Sequence, residues 1–183
     1  MYITMTIYAA LLRGINVGGN NKIKMADLRK LLEETGLRRV QTYIQSGNVV
    51  FEADESTPES LERQIEEGIR QAFGMSISVL VRTGEEFKRI VEESPFQAET
   101  LGEGDSIHIN LLTVAPAQEV LEKLPDLPLG DDEYRLIGRE LYMLLRQSIL
   151  ESNVPKKFQK LLPQTSRNLK TMVKLYEMVR AME

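Results

Sequence analysis

Hydrophobic positions along this chain follow two periods, and the switches between them mark out its elements. Residues 3–12 are mostly apolar without strict alternation, the pattern of a buried central strand. From Met25 the apolar residues fall into helical spacing, and Leu28, Leu31 and Leu32 form the stripe expected to be buried. Gly36 closes that helix as a C-terminal cap. Val40 to Ile44 and Val49 to Phe51 are β-rich and flank Gln45-Ser46-Gly47-Asn48, which predicts a hairpin turning near Gly47. Pro58 opens a second helix at the position where its missing N–H costs nothing. Leu61, Ile65, Ile69 and Phe73 form its stripe, Gly74 ends it, and Ile77 to Val81 is a further strand. The order is β-α-β-β-α-β, the ferredoxin-like split arrangement of two helices on one face of a four-stranded antiparallel sheet.

The second half repeats most of that order. Thr83 and Glu86 have capping-box spacing before a short helix carrying Phe87, Ile90 and Val91. An aperiodic, mostly acidic loop covers 94–106. Ile107, Ile109 and Leu111 alternate with His108 and Asn110 as a strand, and Pro116 starts a helix with Val120, Leu121 and Leu124, broken by Pro125 and Pro128. Tyr134 to Ile137 and Glu140 to Leu145 flank Gly138-Arg139 as a second hairpin. A helix with Phe158, Leu161 and Leu162 follows Pro155. Thr165 or Ser166 is then read as the cap of a last helix, which stands where the final strand of a complete repeat would be. The fold class is α+β: duplicated ferredoxin-like βαββα units, with antiparallel sheets and helices on one face. The boundaries are 1–82 for the first unit and 83–183 for the second.

Composition narrows the chemistry. The 183 residues include no Cys and one His, which excludes disulfides, thiolate catalysis and metal sites built on Cys or on several His of one chain. No apolar run reaches the roughly 20 residues that span a bilayer, and no signal-peptide pattern opens the chain. A cytoplasmic location with no membrane partner is the expectation, and nothing calls for a metal or a cofactor. The net charge of −4 argues against general polyanion binding. It is unevenly spread, however. Arg13, Lys22 and Lys24 precede the first acid, Asp27, and no acid lies among Lys156, Lys157, Lys160, Arg167, Lys170 and Lys174.

The first of these basic segments carries the candidate site. An apolar strand runs into Arg13, then Gly14-Ile15-Asn16-Val17-Gly18-Gly19-Asn20-Asn21, then Lys22 and Lys24 at the mouth of a helix. Gly and Asn tolerate positive φ and let backbone N–H groups approach a ligand closely. With Arg13 and the lysines they suit a phosphate or carboxylate. The competing reading is a structural crossing from strand to helix, although short connections usually suffice for that. The spacing matches neither a Walker A motif nor the dinucleotide glycine fingerprint. Ser46 and Asn48 belong to a tight turn, where such residues are common, yet their strands would border the first strand and bring them to the same loop. His108 alternates with apolar neighbours and reads as packed or solvated. Lys156, Lys157, Arg167, Asn168 and Lys170 form a small basic patch without aromatic stacking platforms, so RNA ranks below a small phosphate-bearing ligand.

Several segments together resemble a bacterial family catalogued as domain of unknown function 1697. They are Leu12-Arg13-Gly14-Ile15-Asn16-Val17-Gly18-Gly19, Lys22-Ile23-Lys24-Met25, and Gln45-Ser46-Gly47-Asn48-Val49-Val50-Phe51. Val81-Arg82-Thr83, Ser94-Pro95-Phe96, Gly138-Arg139-Glu140-Leu141-Tyr142 and Thr165-Ser166-Arg167-Asn168 extend the match along the chain. Where the family often shows an aromatic after the Arg-Asn pair, this chain has Leu169. The resemblance implies a duplicated α+β fold and no particular activity. The leading expectation is a phosphate-bearing ligand bound at the Arg13–Lys24 loop. The alternatives are an RNA-binding or protein-interaction module, or a small phosphatase-like hydrolase. The last rests on analogy with acylphosphatases, in which Arg13 would hold phosphate and Asn48 would orient water.

Overall fold

The structure is a computed structural model and describes residues 3–124, 130–146, 152, 154–161 and 163–183. The chain forms two compact units, one running to Arg89 and including Val173–Glu183, the other Ile90–Met172.

In the first unit, β1 (Met5–Leu12) is followed by α1 (Met25–Glu34), β2 (Arg38–Tyr43), β3 (Asn48–Asp54), α2 (Pro58–Phe73) and β4 (Val79–Thr83). All pairings are antiparallel and the strand order is β2-β3-β1-β4. Alternate residues of the central strands, Tyr8, Ala10, Leu12, Val49, Phe51 and Val81, meet Leu28, Leu32, Leu61, Ile65 and Ile69 of the two helices in one core. The stripes read from the sequence therefore face the sheet. Leu31 differs from its expected burial: it is half-buried, packed at the margin of that core, while Leu28 and Leu32 are sealed. Its side chain lies beside Gly68 of α2, at the seam between the two helices. Thr57 caps α2 by accepting from the Ser60 N–H at 3.1 Å, and Gly74 ends it at φ 67°.

The second unit follows the same plan. It contains β5 (Ser106–Leu112), α4 (Gln118–Lys123), β6 (Glu133–Ile137), β7 (Glu140–Leu145), α5 (Val154–Leu161) and β8 (Gln164–Asn168) in the order β6-β7-β5-β8. Leu124, Leu141, Met143, Leu145 and Phe158 form its core, with the Tyr134 ring edge-on to Phe158. Helices α3 (Gly84–Glu92) and α6 (Leu169–Met182) complete the chain, and Thr83 Oγ1 caps α3 by accepting from the Glu86 N–H at 3.1 Å.

The end of the second unit also differs from the expected cap at Thr165 or Ser166. Residues 164–168 are a strand and not a helix cap, so the second unit also closes as β-α-β-β-α-β. Gln-Thr-Ser-Arg-Asn carries no apolar alternation. It holds its place by backbone pairing with β5, which asks nothing of side-chain hydrophobicity. The cap of α6 is Asn168, whose Oδ1 accepts from the Thr171 N–H at 2.8 Å. The helix breaks expected at Pro125 and Pro128, and the place of Leu162, lie outside the described residues.

Candidate functional site

The loop between β1 and α1 is a folded object with its own hydrogen bonds. Gly14, Asn16, Gly18, Gly19 and Asn21 all have positive φ, between 48° and 78°. Val17 and Asn20 form a miniature bridge, with the Asn20 N–H donating to the Val17 carbonyl at 3.0 Å. Asn16 pins this turn in place. Its Nδ2 donates to the carbonyls of Ile23 (3.0 Å) and Gln45 (2.7 Å), and its Oδ1 accepts from the Ile23 N–H (2.9 Å). Asn21 Nδ2 donates to the Gly14 carbonyl. Two apolar residues anchor the loop from below, Ile15 and Ile23, both buried in the core of the first unit.

The β2–β3 turn fits against this loop. Gly47 accepts from the Leu12 N–H at 2.8 Å, and its own φ is 88°. A Cβ there would stand 2.7 Å from Ile15 Cδ1 and 2.8 Å from Leu12 Cβ. Asn48 is fully buried, and its Nδ2 donates to the Tyr43 carbonyl and to Ser46 Oγ, both at 2.9 Å. The amide that the hydrolase analogy assigns to water therefore holds the hairpin turn.

An open depression of about 590 Å³ lies between the loop, the start of α1, the hairpin turn and the end of α2. Asn16, Gly19, Lys22, Ile23, Lys24, Asp27, Gln45 and Phe73 line it. Lys24 is the N-cap residue of α1 and supplies no side-chain cap. The N–H groups of the first helical turn, which have no intrahelical acceptor, begin here. Lys22, Lys24 and Arg13 are exposed and make no ion pair among the described residues.

The expected site residues thus divide. Asn16, Gly19, Lys22 and Lys24 share the depression, whereas Arg13, Gly14, Gly18, Asn20, Ser46 and Asn48 are outside its lining. Three lining residues come from elsewhere: Asp27 on the first turn of α1, Gln45 in the hairpin turn and Phe73 at the end of α2. Phe73 reads in sequence only as a core position, because nothing local reports that the end of α2 returns to this loop.

The other candidates are placed in the second unit. Lys156, Lys160 and Lys170 are exposed. Arg167 is half-buried, its Nη1 donates to the Ser166 carbonyl, and burial lowers its pKa to about 10. Asn168 is spent on the cap of α6. His108 is half-buried with Nε2 3.0 Å from Ser106 Oγ, and desolvation lowers its pKa below the ordinary value.

A family model described as protein of unknown function (DUF1697) matches residues 5–142. The solved structure of conserved bacterial protein SP0830 from Streptococcus pneumoniae is similar across nearly the whole of both chains. It covers 96% of this chain and 99% of its own, at 28% identity and a TM-score of 0.79. No curated protein matches. Among the described residues, no helix is long and apolar enough to cross a membrane.

Proposed function

The chain belongs to the family described as protein of unknown function (DUF1697), a description that carries no activity, and we propose that this member binds a phosphate-bearing small molecule at the Arg13–Lys24 loop. One observation carries the reading. Lys22 and Lys24, without acidic partners among the described residues, flank the uncapped start of α1 in a lined depression. Two ammonium groups and a helix N-terminus each favour an anion, and here they act at the same place.

The chain contains its own comparison. In the second unit the equivalent connection, from Leu112 to α4 at Gln118, takes five residues (113–117) and carries neither Gly nor Lys. The first unit uses twelve (13–24) for the same crossing. The topology does not require the long loop, which supports a role beyond the crossing. Arg13 stands at the entrance of the loop, outside the depression lining, and serves in this reading as a second, outer contact.

The test is a thermal-shift panel of inorganic phosphate, mononucleotides and short RNAs on the wild type, on Arg13→Lys and on the Lys22→Gln/Lys24→Gln double variant. A ligand of the folded state raises the midpoint with the logarithm of its excess over Kd. A phosphate compound should shift the wild type and leave the double variant unmoved. If no member of the panel shifts the wild type, the reading fails. A shift confined to RNA, collapsing steeply with salt, would transfer the site to nucleic acid.

A further inference from the structure

We infer that the depression selects a ribonucleoside 5′-monophosphate over inorganic phosphate, an inference that rests on the phosphate reading above and sharpens it. The lining is mixed in a way that a bare anion cannot use. Lys22 and Lys24 bring two positive charges to the lining, and Asp27, an exposed acid on the first turn of α1, is a lining residue as well. For inorganic phosphate that carboxylate is a like charge and a liability. For a ligand that joins a phosphate to vicinal hydroxyls it is an acceptor of the right kind, since a carboxylate takes hydrogen bonds from a ribose.

The remaining walls fit the third part of such a ligand. Phe73 is half-buried, packed against the core, and also lines the depression. An aromatic surface accepts any nucleobase, because every base has a π-face. Gln45 adds an exposed side-chain amide, which makes no hydrogen bond among the described residues and carries both donors and an acceptor. Its backbone is fixed by the 2.7 Å bond from Asn16, so the amide projects from a stationary point. A volume of about 590 Å³ lies within the roughly 300–1,000 Å³ typical of small-molecule sites. Phosphate on Lys22 and Lys24, ribose on Asp27 and base on Phe73 with Gln45 use each side chain for what it does best.

The experiment is isothermal titration of the full chain with AMP, GMP, CMP and UMP, their 2′,3′-dideoxy counterparts, ribose 5-phosphate and inorganic phosphate. At least one ribonucleotide should bind about tenfold or more tightly than inorganic phosphate, and more tightly than its dideoxy form, as expected for a charge-assisted hydrogen bond. Asp27→Asn, an exposed substitution on the first turn of α1, should bring the ribo-to-dideoxy ratio towards one while phosphate binding persists. Phe73→Leu should reduce nucleotide affinity towards that of ribose 5-phosphate. Equal affinities for nucleotides and inorganic phosphate in the wild type would overturn this inference and leave the phosphate site standing. An unchanged ribo-to-dideoxy ratio in Asp27→Asn would also overturn it. Binding of no phosphate compound at all would overturn both.

Discussion

Asn16 shows how much a single side chain can do in this fold. It occupies a left-handed conformation and ties together three points: the loop, the approach to α1 and the hairpin turn. The sequence marked it as a ligand contact because Asn in a Gly-rich loop suits backbone approach to an anion. Its three bonds run to Ile23 and to Gln45, the latter 29 positions away, and that distance hides the pinning role from local reading. Asn16→Ala should cost roughly 1.5–4.5 kcal/mol, since three bonds are lost and each contributes about 0.5–1.5 kcal/mol. Urea midpoints on the two proteins measure it. Gly47 was half legible. Its turn conformation follows from the flanking β-rich runs, but the closeness of Ile15 and Leu12 does not, because Ile15 arrives from the loop. Gly47→Ala combines an unfavourable φ with overpacking and should destabilise by roughly 2–5 kcal/mol. A midpoint within error of wild type would show that the loop is not seated on this glycine. Leu31 supplies a contrast within one helix. Leu28→Ala should cost about 2–5 kcal/mol as a sealed core truncation, and the half-buried Leu31→Ala distinctly less.

At the scale of elements, what was legible depended on where the stabilising contact lies. Helices α1 and α2 were readable because their stripes face the sheet. Strand β8 was not, since an edge strand of polar residues has no apolar alternation to read and pairs with β5 through its backbone. The bulge of β2, where Arg39 adopts φ 51° and the register shifts between Arg38 and Gln41, was equally hidden. Edge strand β4 has a further device. The N–H groups of Val79 and Val81 donate to Glu66 Oε1 (3.0 Å) and Glu62 Oε2 (3.2 Å) of α2, which covers an edge that would otherwise invite another strand. Desolvation, with the charges of Glu59 and Glu66 beside it, raises the Glu62 pKa against the Val81 hydrogen bond and the nearby Arg82. A raised acid favours the folded state most when protonated. That contribution is fully present below the ordinary value of 4.5 and is lost as pH rises through the raised folded value. Glu62→Gln keeps an acceptor for Val81 and removes the titration. It should match or exceed wild-type stability at pH 7, with the advantage disappearing below pH 4.5. Denaturation midpoints at the two pH values decide this, and a clear loss of stability at pH 7 would show that the charge itself secures the edge.

For the whole molecule the duplication is supported by register as well as by strand order. Leu12 donates to the carbonyl of Gly47, and Leu112 donates to the carbonyl of Arg139, both at 2.8 Å. Each acceptor immediately precedes the third strand of its unit, and Leu11 pairs with Asn48 as Leu111 pairs with Glu140. The two halves thus share a backbone plan, and at the matched register they also share Leu11 with Leu111, Leu12 with Leu112 and Arg82 with Arg167. Element order alone suggests the repeat, whereas the matched hydrogen bonds join residues some 27 to 35 positions apart and leave no local signal. Against that shared plan the Gly/Asn loop is what the first unit adds between its first strand and first helix. The most direct measurement is an amide chemical-shift titration of the full chain with AMP. A binding loop should give saturable shifts centred on Gly19, Lys22, Lys24, Asp27 and Gln45, greatly reduced in Lys22→Gln/Lys24→Gln. Shifts that fail to saturate, or that fall on Lys156, Lys160 and Lys170 while the loop stays silent, would contradict binding there.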